Sequence, residues 1–174
     1  MKIYLAGPEV FLADALEIGE RKKQICRKYG VVGHYPLDAV VDLSGLAPPE
    51  AARLIFQANI NAIDDSDALI ANMAPFRGPG LDGGTAFEMG YAAALGIPIY
   101  AYTNDPRSYL GRARSLGLVA RVDTHGRSRD AQDLEIEDFG LIDNLMPVCS
   151  ARELSKPMLW RAGTTGAEGL ESEP

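Results

Sequence analysis

The sequence predicts a single α/β domain built on a doubly wound parallel sheet, and three observations carry that prediction. Short apolar segments alternate with longer segments of helical period along most of the chain. The run 68–71, Ala-Leu-Ile-Ala, lacks polar alternation, as a strand covered on both faces requires. A length of 174 residues suits one domain with one core, stable without disulfides or metal. Five strands in the flavodoxin-like order are expected, with ligands bound beyond the carboxyl ends of the strands.

Taken in order, Lys2 to Ala6 reads as the first strand, closed by Gly7-Pro8. Asp14 to Tyr29 has helical spacing, with Leu16, Ile18 and Ile25 on one side and Glu17, Glu20, Arg21, Lys22 and Lys23 outward; Gly30 ends it. Val31 to Tyr35 is a short second strand, and Pro36 to Leu46 a loop. Pro48-Pro49-Glu50 starts a helix, since proline suits a first turn, and that helix runs to about Ile63. Ala68 to Ala71 is the third strand, Thr85 to Leu95 a helix stopped by Gly96, and Pro98 to Tyr102 the fourth strand. Asp105 to Leu116 reads as a helix and Leu118 to Val122 as the fifth strand. Asp123 to Asp138 is polar without a clear period and reads as a surface loop. Leu141 to Ala151 regains helical character. The domain is placed at residues 1–160, and 161–174 reads as a disordered acidic tail.

Composition excludes several classes. Apolar residues make up 47% and charged residues 24%, as in ordinary globular proteins. A net charge of −7 argues against binding a nucleic acid polymer, which needs a basic face, but leaves single nucleosides open. Cys26 and Cys149 give no disulfide framework, which makes a reducing cytoplasm the default. His34 and His125 are far apart, and neither HExxH nor CxxC spacing occurs, so no metal is expected. The chain opens into a strand rather than a charged and then apolar leader, and no apolar run reaches the roughly 20 residues of a membrane span.

The chemistry concentrates between Leu69 and Tyr102. There an apolar strand runs into a Gly/Pro loop holding Asp82, and the loop feeds a helix whose first turn is expected to present Glu88. Two carboxylates flanking a helix start can share a small ligand. Each has a plainer reading. Thr85-Ala-Phe-Glu88 fits a capping box, and Asp82 before Gly83-Gly84 fits a turn. Gly78, Gly80, Gly83 and Gly84 match neither GxxxxGK[ST] nor GxGxxG, so a nucleotide P-loop or dinucleotide fold is discounted. Asn59 and Asn61 are mediocre helix formers inside a helix, a weak hint of a site. Phe11, Phe76 and Arg77 can stack on a flat ring or simply pack. Tyr4 to Pro8, including Gly7, should meet the Pro75–Glu88 loop at one crevice.

Three segments carry a resemblance: KIYLAGP at the N-terminus, NINAIDDSDALIANMAPFRGP in the middle and DGGTAFEMGYAAALGIPI after it. With Asn144-Leu-Met146 near the C-terminus, they resemble the nucleoside 2-deoxyribosyltransferase family, most closely its purine-exchanging branch. The resemblance implies that Glu88 attacks C1′ of a 2′-deoxynucleoside, that Tyr4 holds that carboxylate, and that Asp82 binds the sugar 5′-hydroxyl. It implies that Asn144 reaches in from a neighbouring subunit of a dimer-based tetramer or hexamer. Asn59 falls where some members carry a base-handling aspartate; Phe11, Gly7 and Asp38 join the substrate-binding set. An amide at 59 is no ordinary general acid, which leaves Asp38 and Asp64 as candidates to protonate the departing base. Substrates are then deoxynucleosides and free bases, and no cofactor is needed. Two other readings stay open: a 2′-deoxynucleoside 5′-monophosphate hydrolase and a non-catalytic nucleotide-binding module. Asp82 disfavours the hydrolase, because a carboxylate repels a 5′-phosphate.

Overall fold

A computed structural model describes residues 1–39 and 42–155. The expected tail at 161–174 lies outside the described residues. The main sheet has five parallel strands, β1 (Lys2–Ala6), β2 (Val32–His34), β3 (Ala68–Asn72), β4 (Ile99–Tyr102) and β7 (Glu153–Ser155), the labels β5 and β6 belonging to a separate hairpin at Arg121–Val122 and Ser128–Arg129. Their order across the sheet is β2-β1-β3-β4-β7. The helices are α1 (Ala15–Lys28), α2 (Pro48–Asp64), α3 (Gly83–Ala94), α4 (Tyr109–Ser115) and α5 (Leu145–Ser150). This is the expected flavodoxin-like α/β domain.

Strand alternation sorts the core into two layers. Ile3 and Leu5 of β1 pack with Cys26 of α1 and Tyr35 on one face. Tyr4 and Ala6 pack on the other face with Ile63 of α2 and with Met89 and Ala92 of α3. Leu69, Ile63 and Met89 are fully buried, each contributing roughly 2 kcal/mol of apolar transfer. Both α1 and α3 end in a glycine with left-handed backbone, Gly30 (φ 71°) and Gly96 (φ 72°). In each case the next residue's amide returns to a carbonyl of the last turn, Val31 to Cys26 and Ile97 to Ala92. That turn sends the chain directly into the following strand.

Three expectations are corrected. The fifth strand is not Leu118–Val122 but Glu153–Ser155, which pairs with β4. Arg121–Val122 (β5) instead pairs antiparallel with Ser128–Arg129 (β6) in a separate hairpin. The 123–138 segment is therefore ordered in part rather than a plain loop, and Asp123 at its start ties it together. It accepts the guanidinium of Arg127 at 3.2 Å and that of Arg129 at 3.0 Å. The helices expected at 105–116 and 141–151 start later, because Ser108 and Asn144 cap them, each accepting a backbone amide through its side chain.

Candidate active site

Helix α3 begins at Gly83, capped by Asp82 rather than Thr85. Asp82 Oδ2 accepts the Thr85 amide at 2.9 Å and the Thr85 hydroxyl at 3.1 Å. This overturns the capping-box reading of Glu88. The glutamate lies in the second turn, past the exposed amides of the helix start, so capping does not account for it. Its side chain lies against β1, where the Tyr4 hydroxyl donates to Glu88 Oε1 at 2.6 Å. Tyr4 itself is fully buried.

Burial is the main influence on this carboxyl. It disfavours the charged form and pushes the Glu88 pKa up to about 7; the bond from Tyr4 opposes that shift and the nearby charge of Asp82 adds to it. The Tyr4 phenol is pushed up as well, chiefly by burial and then by the Glu88 charge, so it remains a donor at any working pH. Glu88 also lines a cavity of about 300 Å³ between α2 and α3. Its walls include Phe56, Asn59 and Ile60 of α2 with Gly84 and Phe87 of α3. Phe56 and Phe87 face each other at 5.8 Å between ring centroids and are half exposed. The result is an apolar slot with one carboxyl and one amide in its wall.

The structure thus brings Tyr4, Glu88 and Asn59 to one place, with Asp82 at the start of the same helix. Other candidates are engaged elsewhere. Phe11 stacks on Phe76 at 5.0 Å, and Arg77 lies over the Phe76 ring at 4.6 Å, so the three pack on one another. Asp38 accepts from Lys23 Nζ at 2.5 Å and from the Tyr35 amide at 2.9 Å, which uses both of its oxygens. Asp64 accepts from the Tyr91 hydroxyl at 2.8 Å. Asn144 caps α5 and donates to Glu137 Oε1 at 2.6 Å, with its contacts inside the 137–146 strap. Gly7 sits where a Cβ would come 2.9 Å from the Asn72 Cβ and collide with the Glu9 carboxylate, so only glycine fits that turn. Among the described residues no group of three or more ligating side chains is placed to hold a metal, and no helix is long and apolar enough to cross a membrane.

Sequence reasoning missed two buried polar groups. At the carboxyl ends of the strands, Glu9 Oε1 accepts from Asn72 at 2.8 Å and from Tyr102 at 3.2 Å, and pairs with Lys22 at 2.5 Å. Beside the Asp82 loop, Arg112 and Asp143 form an ion pair at 3.0 Å with both side chains 2% exposed. Neither has a local pattern, because the partners are far apart in sequence, 63 and 93 residues for Glu9 with Asn72 and Tyr102 and 31 for Arg112 with Asp143.

Comparison with known proteins agrees with the geometry. The nucleoside 2-deoxyribosyltransferase family model matches residues 3–146. An uncharacterised protein of Schizosaccharomyces pombe is 34% identical over 155 residues, covering 83% of this chain and 74% of its own. A solved structure described as a 2-desoxiribosyltransferase from Leishmania mexicana is 32% identical, with a TM-score of 0.62 and 84% of each chain covered. A conserved protein of Enterococcus faecalis V583, 24% identical with a TM-score of 0.55 over 90% of this chain and 91% of that one, shares the fold. The family match spans both partners of the buried carboxyl–phenol pair, Tyr4 and Glu88, and this chain belongs to the nucleoside 2-deoxyribosyltransferase family.

Proposed function

We propose that the protein exchanges nucleobases on 2′-deoxynucleosides, with purines preferred, through a covalent ester between Glu88 and the sugar. One observation carries the reading: a carboxyl withdrawn from water, fixed by a single phenol, with its cavity side open. A carboxylate so placed attacks C1′ on the face opposite the base. The C1′–N bond breaks, its electron pair leaves with the base, and the base takes up a proton. A second base then attacks C1′ through a ring nitrogen and releases that nitrogen's proton to solvent, which balances the proton taken up by the first base; the ester C–O bond breaks, and Glu88 returns as a carboxylate. Two inversions retain configuration, and the kinetics are ping-pong.

The supporting roles follow from chemistry. Tyr4 fixes which Glu88 oxygen faces the sugar. Asp82 accepts from the 5′-hydroxyl, and Asn144 of a neighbouring subunit meets the same end of the sugar in a homo-oligomer. Asn59 both donates and accepts, which suits the mixed edge of a purine. Phe56 and Phe87 are half exposed in one chain, and water reaching the ester hydrolyses it. Covering them with a neighbour favours transfer over hydrolysis.

The test is chromatographic: purified protein with deoxyinosine, with and without adenine. The expected outcome is deoxyadenosine only when adenine is present, with deoxyinosine otherwise conserved. Hypoxanthine and free deoxyribose released regardless of adenine mean a hydrolase. No turnover of any deoxynucleoside or deoxynucleotide donor means a binding module.

A further inference from the structure

The ion pair of Arg112 and Asp143 is saturated with backbone bonds. From Arg112, Nε donates to the Pro79 carbonyl at 2.7 Å, Nη1 to that of Asp105 at 3.3 Å, and Nη2 to that of Ile142. Asp143 Oδ2 accepts the Leu81 amide at 3.0 Å besides the guanidinium, and Oδ1 accepts the Asn144 amide at 2.8 Å. A Cβ on Gly80 would lie 3.4 Å from Asp143 Oδ1, so the loop approaches this carboxylate closely. A buried ion pair is seldom more stable than apolar residues of the same volume. Apolar residues, however, cannot hold the backbone groups of the 79–81 turn, the 105 loop and the 142–144 strap in one register.

We propose that Arg112 and Asp143 are positioning residues that set where Asp82 and Asn144 stand, and so govern recognition of the donor's 5′-hydroxyl. The proposal rests on the exchange reading above. Leu81 is the residue before Asp82, and Asn144 is bonded through its own amide. One carboxylate therefore grips the backbone beside the Asp82 of its own site and at the Asn144 that the chain lends to its neighbour's site, one oxygen for each. Neither charge touches the substrate. Misplacement by about 1 Å at a positioned group costs on the order of a hundredfold in rate.

The experiment compares deoxyinosine with 2′,5′-dideoxyinosine, which lacks the 5′-hydroxyl, as donors to adenine. The variants are the apolar pair Arg112→Met with Asp143→Leu and the conservative Arg112→Lys. Wild-type protein is expected to prefer deoxyinosine strongly. In the apolar pair the protein stays folded with a lowered melting temperature, since backbone groups lose their partners, kcat on deoxyinosine falls about a hundredfold, and the preference over the dideoxy donor collapses. Arg112→Lys keeps the charge but loses the fork and shows part of the same collapse; it serves as the readout if the apolar pair does not fold. A loss of equal proportion on both donors, or unchanged kinetics, overturns the proposal. Wild-type protein inactive on both donors overturns the exchange reading itself, a result visible without any variant.

Discussion

Glu88 and Asp143 are both carboxyl groups withdrawn from water, and the chain handles them in opposite ways. Glu88 receives one side-chain hydrogen bond, from Tyr4, and otherwise faces a cavity. Asp143 receives the Leu81 amide, the Asn144 amide and the Arg112 guanidinium. Burial raises the pKa of each. Around Asp143 the two amides and Arg112 all oppose that rise; around Glu88 only Tyr4 does. A carboxyl left short of partners beside an open space is available to react. One saturated on every side holds loops together.

Four measurements break or sharpen that contrast, from the largest effect down. Glu88→Gln should leave the fold intact by circular dichroism and reduce base exchange by 10⁴-fold or more, on the order seen when a nucleophile is removed. Near-normal exchange in the folded variant would show the two carboxyls to be alike in role. Arg112→Ala leaves the Asp143 charge buried and unpaired. It should cost about 3–5 kcal/mol in urea unfolding, whereas Glu88→Gln should cost little.

The third concerns pH. The folded-state pKa of Glu88 lies above its unfolded value, near 7 against 4.5. The native state therefore binds more protons than the unfolded state between those limits. Its contribution to stability is fully present below pH 4.5 and is lost as the pH rises through 7, by about 3 kcal/mol in all. Under the proposed mechanism activity runs the other way, since the attacking form is then the carboxylate; kcat/KM should climb through an acid limb near pH 7. In Glu88→Gln this part of the stability slope should vanish. A slope that persists unchanged would assign it to other groups. The smallest effect belongs to Tyr4→Phe. It removes the one bond that lowers the Glu88 pKa, so the acid limb should move to higher pH and kcat/KM at neutral pH should fall about 10- to 100-fold. An acid limb that stays in place would mean that the phenol does not set the carboxyl's ionisation.

Much of this was legible from sequence. Strands β1, β3 and β4 stand where apolar runs predicted them, and Tyr4, Glu88 and Asn59 lie close together. The misses have physical causes. Leu118–Val122 is apolar enough for a buried strand, yet its two paired residues are exposed and bond to a hairpin partner. Glu153–Ser155 is short and mostly exposed, so edge pairing rather than hydrophobic pattern defines it. The Thr85–Glu88 spacing fits a helix-start template, but Asp82 reaches the same amide first and moves the start upstream. Arg112 and Asp143 left no local trace because a contact across 31 residues has no period to detect.

The edge strand Glu153–Ser155 follows α5 after two residues, and α5 opens at Asn144. Sheet edges and short helices open at lower free energy than central strands. Amides from 143 to 155 should therefore exchange their hydrogens for deuterium faster than those of β1 and β3. Under the proposed role of Asn144, a bound nucleoside draws this whole stretch toward its closed state and slows that exchange. Occupancy of the sugar site can then be followed in time as protection at the rim of the sheet, at atoms that take no part in the chemistry.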